Sequence, residues 1–157
     1  MGDYNRSTRE CPFDQMHPDM VKGIHEYAQK HQLSDIEASI LMCCETISEK
    51  KKKGFFASLV STDPDTVHFT GMLVTPTCLI WARSGAKYGT MVSSARLQDI
   101  EVKNFTPQLI EDTGMSIFGF VGDSAERVTA FIGLGPEPAA QKFRETVQQA
   151  IMKATKG

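Results

Sequence analysis

From His68 to Phe105 the chain sets short runs of β-branched and aromatic residues between Gly, Pro and Ser. That pattern prescribes a series of hairpins. It opens V-H-F-T-G-M-L-V at Val67, turns at Thr75-Pro76-Thr77, and resumes from Cys78 to Arg83 with Trp81, the single tryptophan. Ser84-Gly85-Ala86 turns again, and Lys87 to Ser93 makes a short strand. Over Leu97 to Phe105 apolar and charged residues alternate, as in a half-exposed strand. Met115 to Val121 and Arg127 to Leu134 are two further strands, with a turn at Gly122-Asp123-Ser124.

Upstream, residues 1–16 are polar and aperiodic, and the expectation is a frayed arm. A helix opens at Pro18, where a missing N–H costs nothing, and carries Met20, Ile24, Tyr27 and Ala28 as one apolar stripe. It stops near His31-Gln32. Ser34 with Glu37 matches a capping box and one helical turn at 34–38. The run S-I-L-M-C-C-E-T-I-S then reads as a strand over 39–48, with a longer helix from Ser34 to Ser48 as the alternative. As a strand it sends Cys43 and Cys44 to opposite faces. Counting it, there are about seven strands at short spacing, as a barrel or sandwich requires.

The period changes at the other end. Gly135-Pro136-Glu137-Pro138 starts a helix in which Phe143, Val147, Ala150, Ile151 and Ala154 share one face. Lys153 and Lys156 suit the negative end of its dipole.

Length suits one domain with an appendage, divided as an N-terminal arm and helix over 1–38 and a β-rich unit over 39–157. With net charge -2 the chain is not a general nucleic-acid binder. No apolar run approaches a membrane span, and the polar start does not resemble a secretory signal. The four cysteines lack chelating spacing, which points to free thiols, three of them in the core, and a cytoplasmic setting.

The phrases G-M-L-V-T-P-T-C-L-I-W-A (Gly71 to Ala82) and L-Q-D-I-E-V (Leu97 to Val102) resemble those of bacterial pleckstrin-homology-like domains and the related GRAM family. The resemblance covers Ser39 to Gly157. It implies a mainly β (α+β) fold: a PH-like barrel of about seven antiparallel strands closed by the C-terminal helix, here with an N-terminal helical extension.

Many PH domains hold phosphoinositides with basic residues of the first inter-strand loop. Lys50, Lys51, Lys52 and Lys53 fall there, followed by Phe55 and Phe56. Near an anionic leaflet each lysine contributes ~1 kcal/mol, so four give roughly 4 kcal/mol, which is about millimolar binding. The two phenylalanines could add apolar insertion. The bland reading of the same run is a solvated loop.

The histidines and carboxylates show no metal-ligand spacing, and no phosphate loop or nucleophile motif occurs. The expectation is a non-catalytic recognition module without cofactor or metal. Its partner would be another protein or a second copy, bound through Met20, Ile24 and Tyr27. The alternative is peripheral attachment to an anionic membrane through the lysine loop.

Overall fold

The structure, a computed structural model, describes residues 4–33, 35–50, 67–87, 89–104 and 114–156. Five antiparallel strands form the larger sheet in chain order: β1 (Tyr4–Glu10), β2 (Met42–Lys50), β3 (Val67–Val74), β4 (Cys78–Gly85) and β5 (Gly89–Arg96). A 3-10 turn at Leu97–Asp99 leads to a three-stranded sheet of β6 (Ile100–Asn104), β7 (Gly114–Gly119) and β8 (Val128–Gly133). Between β1 and β2 lie a 3-10 turn (Phe13–Gln15), α1 (Pro18–Lys30) and the short α2 (Ile36–Ser39). The helix α3 (Pro138–Lys156) ends the described chain. The fold is mainly β (α+β), with two antiparallel sheets.

All seven expected strands are present, and 42–50 is strand rather than helix. The sheets do not form a closed barrel. They meet at isolated bonds: Gly122 N–H donates to Ser94 O at 2.7 Å, and Gly135 N–H donates to Thr8 Oγ1 at 2.8 Å. The expected strand over Leu97 to Phe105 begins three residues late. The 3-10 turn shifts its phase, so Leu97 and Ile100 both face the core while Glu101 and Lys103 face solvent.

Alternation splits the large sheet between two cores. Cys44, Met72, Leu79 and Trp81 face one of them, with Phe143, Val147 and Ala150 of α3 and Met115, Ile117 and Ile132 of the small sheet. Cys43, Leu73, Ile80 and Ala82 face the other, beneath Met20, Ile24 and Ala28 of α1. Because the middle strands are covered on both sides, they read as almost continuous apolar runs.

The N-terminal arm is a correction. Tyr4–Glu10 is not frayed: it pairs with β2 along its whole length, Tyr4 opposite Lys50 and Glu10 opposite Cys44. Its polar composition hides this because its inward contacts are themselves polar. Thr8 Oγ1 lies 2.7 Å from Thr46 Oγ1, and Thr8 N–H donates to Glu137 Oε2 at 2.9 Å. Side-chain groups thus satisfy backbone that no further strand pairs.

Glu45 fixes where α1 sits. It is a buried carboxylate, opposite Arg9 in β1 and Gly71 in β3. Arg9 donates to Oε1 at 3.0 and 3.3 Å, and the backbone N–H of His17 donates to Oε2 at 2.6 Å. His17 caps α1, so the carboxylate also meets the positive end of the helix dipole. The remaining reach of Arg9 goes to Gln15 O at 2.8 Å. Gly71 leaves the space for this docking: a Cβ there would lie 2.7 Å from Met16 Sδ and 3.1 Å from Met20 Sδ.

Arg9→Ala strips the buried Glu45 of its charged donor and should cost about 1.5–3 kcal/mol of unfolding free energy. The double variant Arg9→Ala/Glu45→Gln should regain part of that loss, because the uncompensated charge is gone. Urea unfolding of the single and double variants measures both effects.

Candidate interaction surface

The outer face of the small sheet presents an aromatic stripe. On β7, Met115 and Ile117 point into the core, so Ser116 and Phe118 point outward, with Phe120 just beyond the strand. On β8, Ile132 and Ala130 point inward and Phe131 outward. The register sets Ser116 opposite Phe131 and Phe118 opposite Thr129, which makes Phe118 and Phe131 diagonal neighbours. Phe118, Phe120 and Phe131 are 37%, 40% and 40% exposed, well above what packing alone leaves for phenylalanine.

Arginines border the stripe at both ends. The Arg127 guanidinium lies 5.9 Å from the Phe118 ring centre and 5.7 Å from that of Phe120. The Arg6 guanidinium lies 5.5 Å from the Phe131 ring and 5.2 Å from Tyr4. These are cation–π distances. On β6 the same outer face carries exposed Glu101, opposite Phe118, and exposed Lys103, opposite Ser116. The patch is therefore apolar at its centre and charged with both signs around it.

The residues singled out from the sequence fall elsewhere. Met20 and Ile24 have no exposed surface: they pack against the chain's own large sheet. Their stripe has a place in the monomer after all, because the large sheet is apolar on its second face as well, at Cys43, Leu73, Ile80 and Ala82. Tyr27 is half-buried beside it, its hydroxyl 2.8 Å from Ser94 Oγ and its ring stacked 4.1 Å from His31. Lys50 is half-buried at the end of β2. Lys51, Lys52, Lys53, Phe55 and Phe56 lie outside the described residues.

Lys50 does have basic company. Tyr4 pairs with Lys50 and Arg6 with Ser48, so Arg6 and Lys50 lie on one face of β1 and β2. Arg83 on β4 belongs to the same face through Thr70 and Thr46. Burial lowers the pKa of Arg6, and the charge of Arg83 adds to that lowering.

The aromatic stripe was open to sequence reading. Alternation over Met115 to Phe120 separates Ser116, Phe118 and Phe120 from Met115 and Ile117. What it lacks is a sign for which set is inside, since both sets are apolar. Among the described residues no group of three or more His, Cys, Asp or Glu side chains could hold a metal ion, and no helix is long and apolar enough to cross a membrane.

All four cysteines are buried, and Cys43 and Cys44 face opposite cores as expected. No protein-family model matches the sequence, and no curated protein matches it either.

Burial pushes the Cys44 thiol up to about 12 from an ordinary 9.0. The unfolded chain therefore loses this proton first, and binds fewer protons than the native state as pH rises. The contribution is complete below pH 9 and declines between pH 9 and about 12. Unfolding free energies from urea titrations across that range should fall less steeply for Cys44→Ala than for the parent, by up to ~1.4 kcal/mol per pH unit.

Proposed function

We propose that the chain is a non-catalytic recognition module of PH-like layout, which self-associates through the outer face of its small sheet. The observation that carries this is the stripe Phe118, Phe120 and Phe131, exposed and flanked by Arg127 and Arg6. Aromatic residues and arginine are the side chains that dominate binding energy at protein interfaces. The rim favours a second copy as partner. A two-fold contact brings each surface against itself, so it needs both charge signs on one patch. Glu101 and Lys103 supply them on adjacent outward positions of β6. The order of four hairpin strands, three more strands and a C-terminal helix supports the PH-like reading.

Light scattering on a size-exclusion column, run across a hundredfold range of concentration, tests self-association. The parent should rise towards twice the monomer mass. Phe118→Ser/Phe120→Ser should stay monomeric with its melting temperature within about 2 °C of the parent, since both rings are surface residues. A parent that stays monomeric at the highest concentration rejects the reading.

A second reading rests on the basic face of Arg6, Lys50 and Arg83, which suits an anionic surface, and on Lys51 to Lys53 next in sequence. Co-sedimentation with anionic vesicles at low salt should then capture the parent. It should weaken at physiological salt and vanish when Lys50 to Lys53 are replaced by Ala. Equal sedimentation with neutral vesicles would count against it.

A further inference from the structure

Cys11 and Cys43 come together in a way that no fold requirement explains. Cys11 follows β1 directly, and the register that sets Glu10 opposite Cys44 sets Cys11 opposite Cys43 one step on. The Cys11 N–H donates to Cys43 O at 3.1 Å, which confirms the pairing. Directly opposed residues of a hydrogen-bonded antiparallel pair share a face and hold their Cα atoms ~5.5 Å apart. That span lies inside the range a disulfide bridges without moving backbone. The two thiols perturb one another: the neighbour lowers the pKa of Cys11 and raises that of Cys43. Both belong to the core beneath α1, yet both also line an open groove of about 770 Å³ with Glu10, Phe13, Glu37 and Ile40.

We propose that Cys11 and Cys43 are a peroxide-reactive dithiol, which closes to a disulfide and fixes the end of β1 to β2. Cys11 is the attacking thiol. The adjacent Cys43 thiol favours the Cys11 thiolate, and the Arg9 charge from the neighbouring β1 position acts in the same direction. The neighbouring Cys11 and burial hold the proton on Cys43. Thiolate character and access together decide which cysteine oxidises first.

The Cys11 sulfur attacks one oxygen of hydrogen peroxide. The O–O bond breaks, water leaves, and Cys11 becomes a sulfenic acid. The Cys43 sulfur then attacks the Cys11 sulfur. The S–O bond breaks, and hydroxide leaves with the Cys43 proton as a second water. Two thiols are oxidised by two electrons, and one peroxide is reduced to two waters. The groove favours this oxidant class, because a small neutral peroxide passes a rim of Glu10, Asp14 and Glu37, with Lys142 on Glu10 and His25 on Glu37, more readily than a bulky anionic glutathione disulfide. Cys44 faces the other core, and Cys78 pairs with Arg96 on β5 rather than with either thiol.

The bridge would close the loop that carries α1 and α2, and should raise the melting temperature by roughly 5–10 °C. The experiment treats the full reduced chain with hydrogen peroxide, blocks remaining thiols with N-ethylmaleimide, and maps peptides without reductant. The expected product is a monomer lighter by two hydrogens, with Cys11 joined to Cys43 and a raised melting temperature that dithiothreitol reverses. Cys43→Ser should instead trap a dimedone-reactive Cys11, whereas Cys44→Ser should give the same bridge as the parent. Bridges to Cys44 or Cys78 in comparable yield, a Cys11 that stays reduced in the parent, or a bridge that leaves the melting temperature unchanged would each overturn the proposal.

Discussion

A single buried carboxylate organises the N-terminal third of this protein. Glu45 stands in the middle of the large sheet, where an ion without partners would be prohibitively costly. Its partners come from two separate pieces of chain, Arg9 in β1 and the backbone of His17 at the start of α1, while Gly71 in β3 leaves room for Met16 and Met20 beside them. Each has to be in place for the charge to be tolerated. The first strand, the first helix and the sheet are thereby tied to one arrangement, with the 3-10 turn held by the same arginine.

The docking of α1 makes the large sheet two-sided, and the rest of the architecture follows. One face is covered by α1 and the other by α3 together with the small sheet. Apolar side chains of β2, β3 and β4 are therefore consumed inside the monomer in both directions. The small sheet has a core on one side only. Its outer face carries three phenylalanines, each more than a third exposed. A surface of that kind normally marks a contact with another molecule. The same layering brings the end of β1 against β2 and so creates the dithiol at the groove.

Legibility varied with the kind of signal. The hairpins between Val67 and Ser93 and the C-terminal helix were clear, because turn residues and helical spacing are local properties. α3 runs Pro138–Lys156 and buries the face marked by Phe143, Val147 and Ala150. The first strand was missed because Y-N-R-S-T-R-E has no apolar alternation: it pairs through backbone and through Thr8, Thr46 and Glu137. The start of β6 was misplaced because a 3-10 turn, invisible in a two-residue period, brings Leu97 and Ile100 to the same side.

By itself the sequence determined the strands from β2 onward and the two long helices, and that Cys43 and Cys44 part to opposite faces. These depend on residues a few positions apart, where sterics and alternation act directly. The tertiary structure alone decided that Met20 and Ile24 are core, that Phe118, Phe120 and Phe131 are surface, and that Cys11 meets Cys43. Those outcomes depend on what covers each face, and coverage is set by segments distant in the chain. Apolar side chains look alike in the sequence whether a helix lies over them or water does. For Met20 and Ile24 the difference is the packing of α1 against the large sheet, anchored at Glu45.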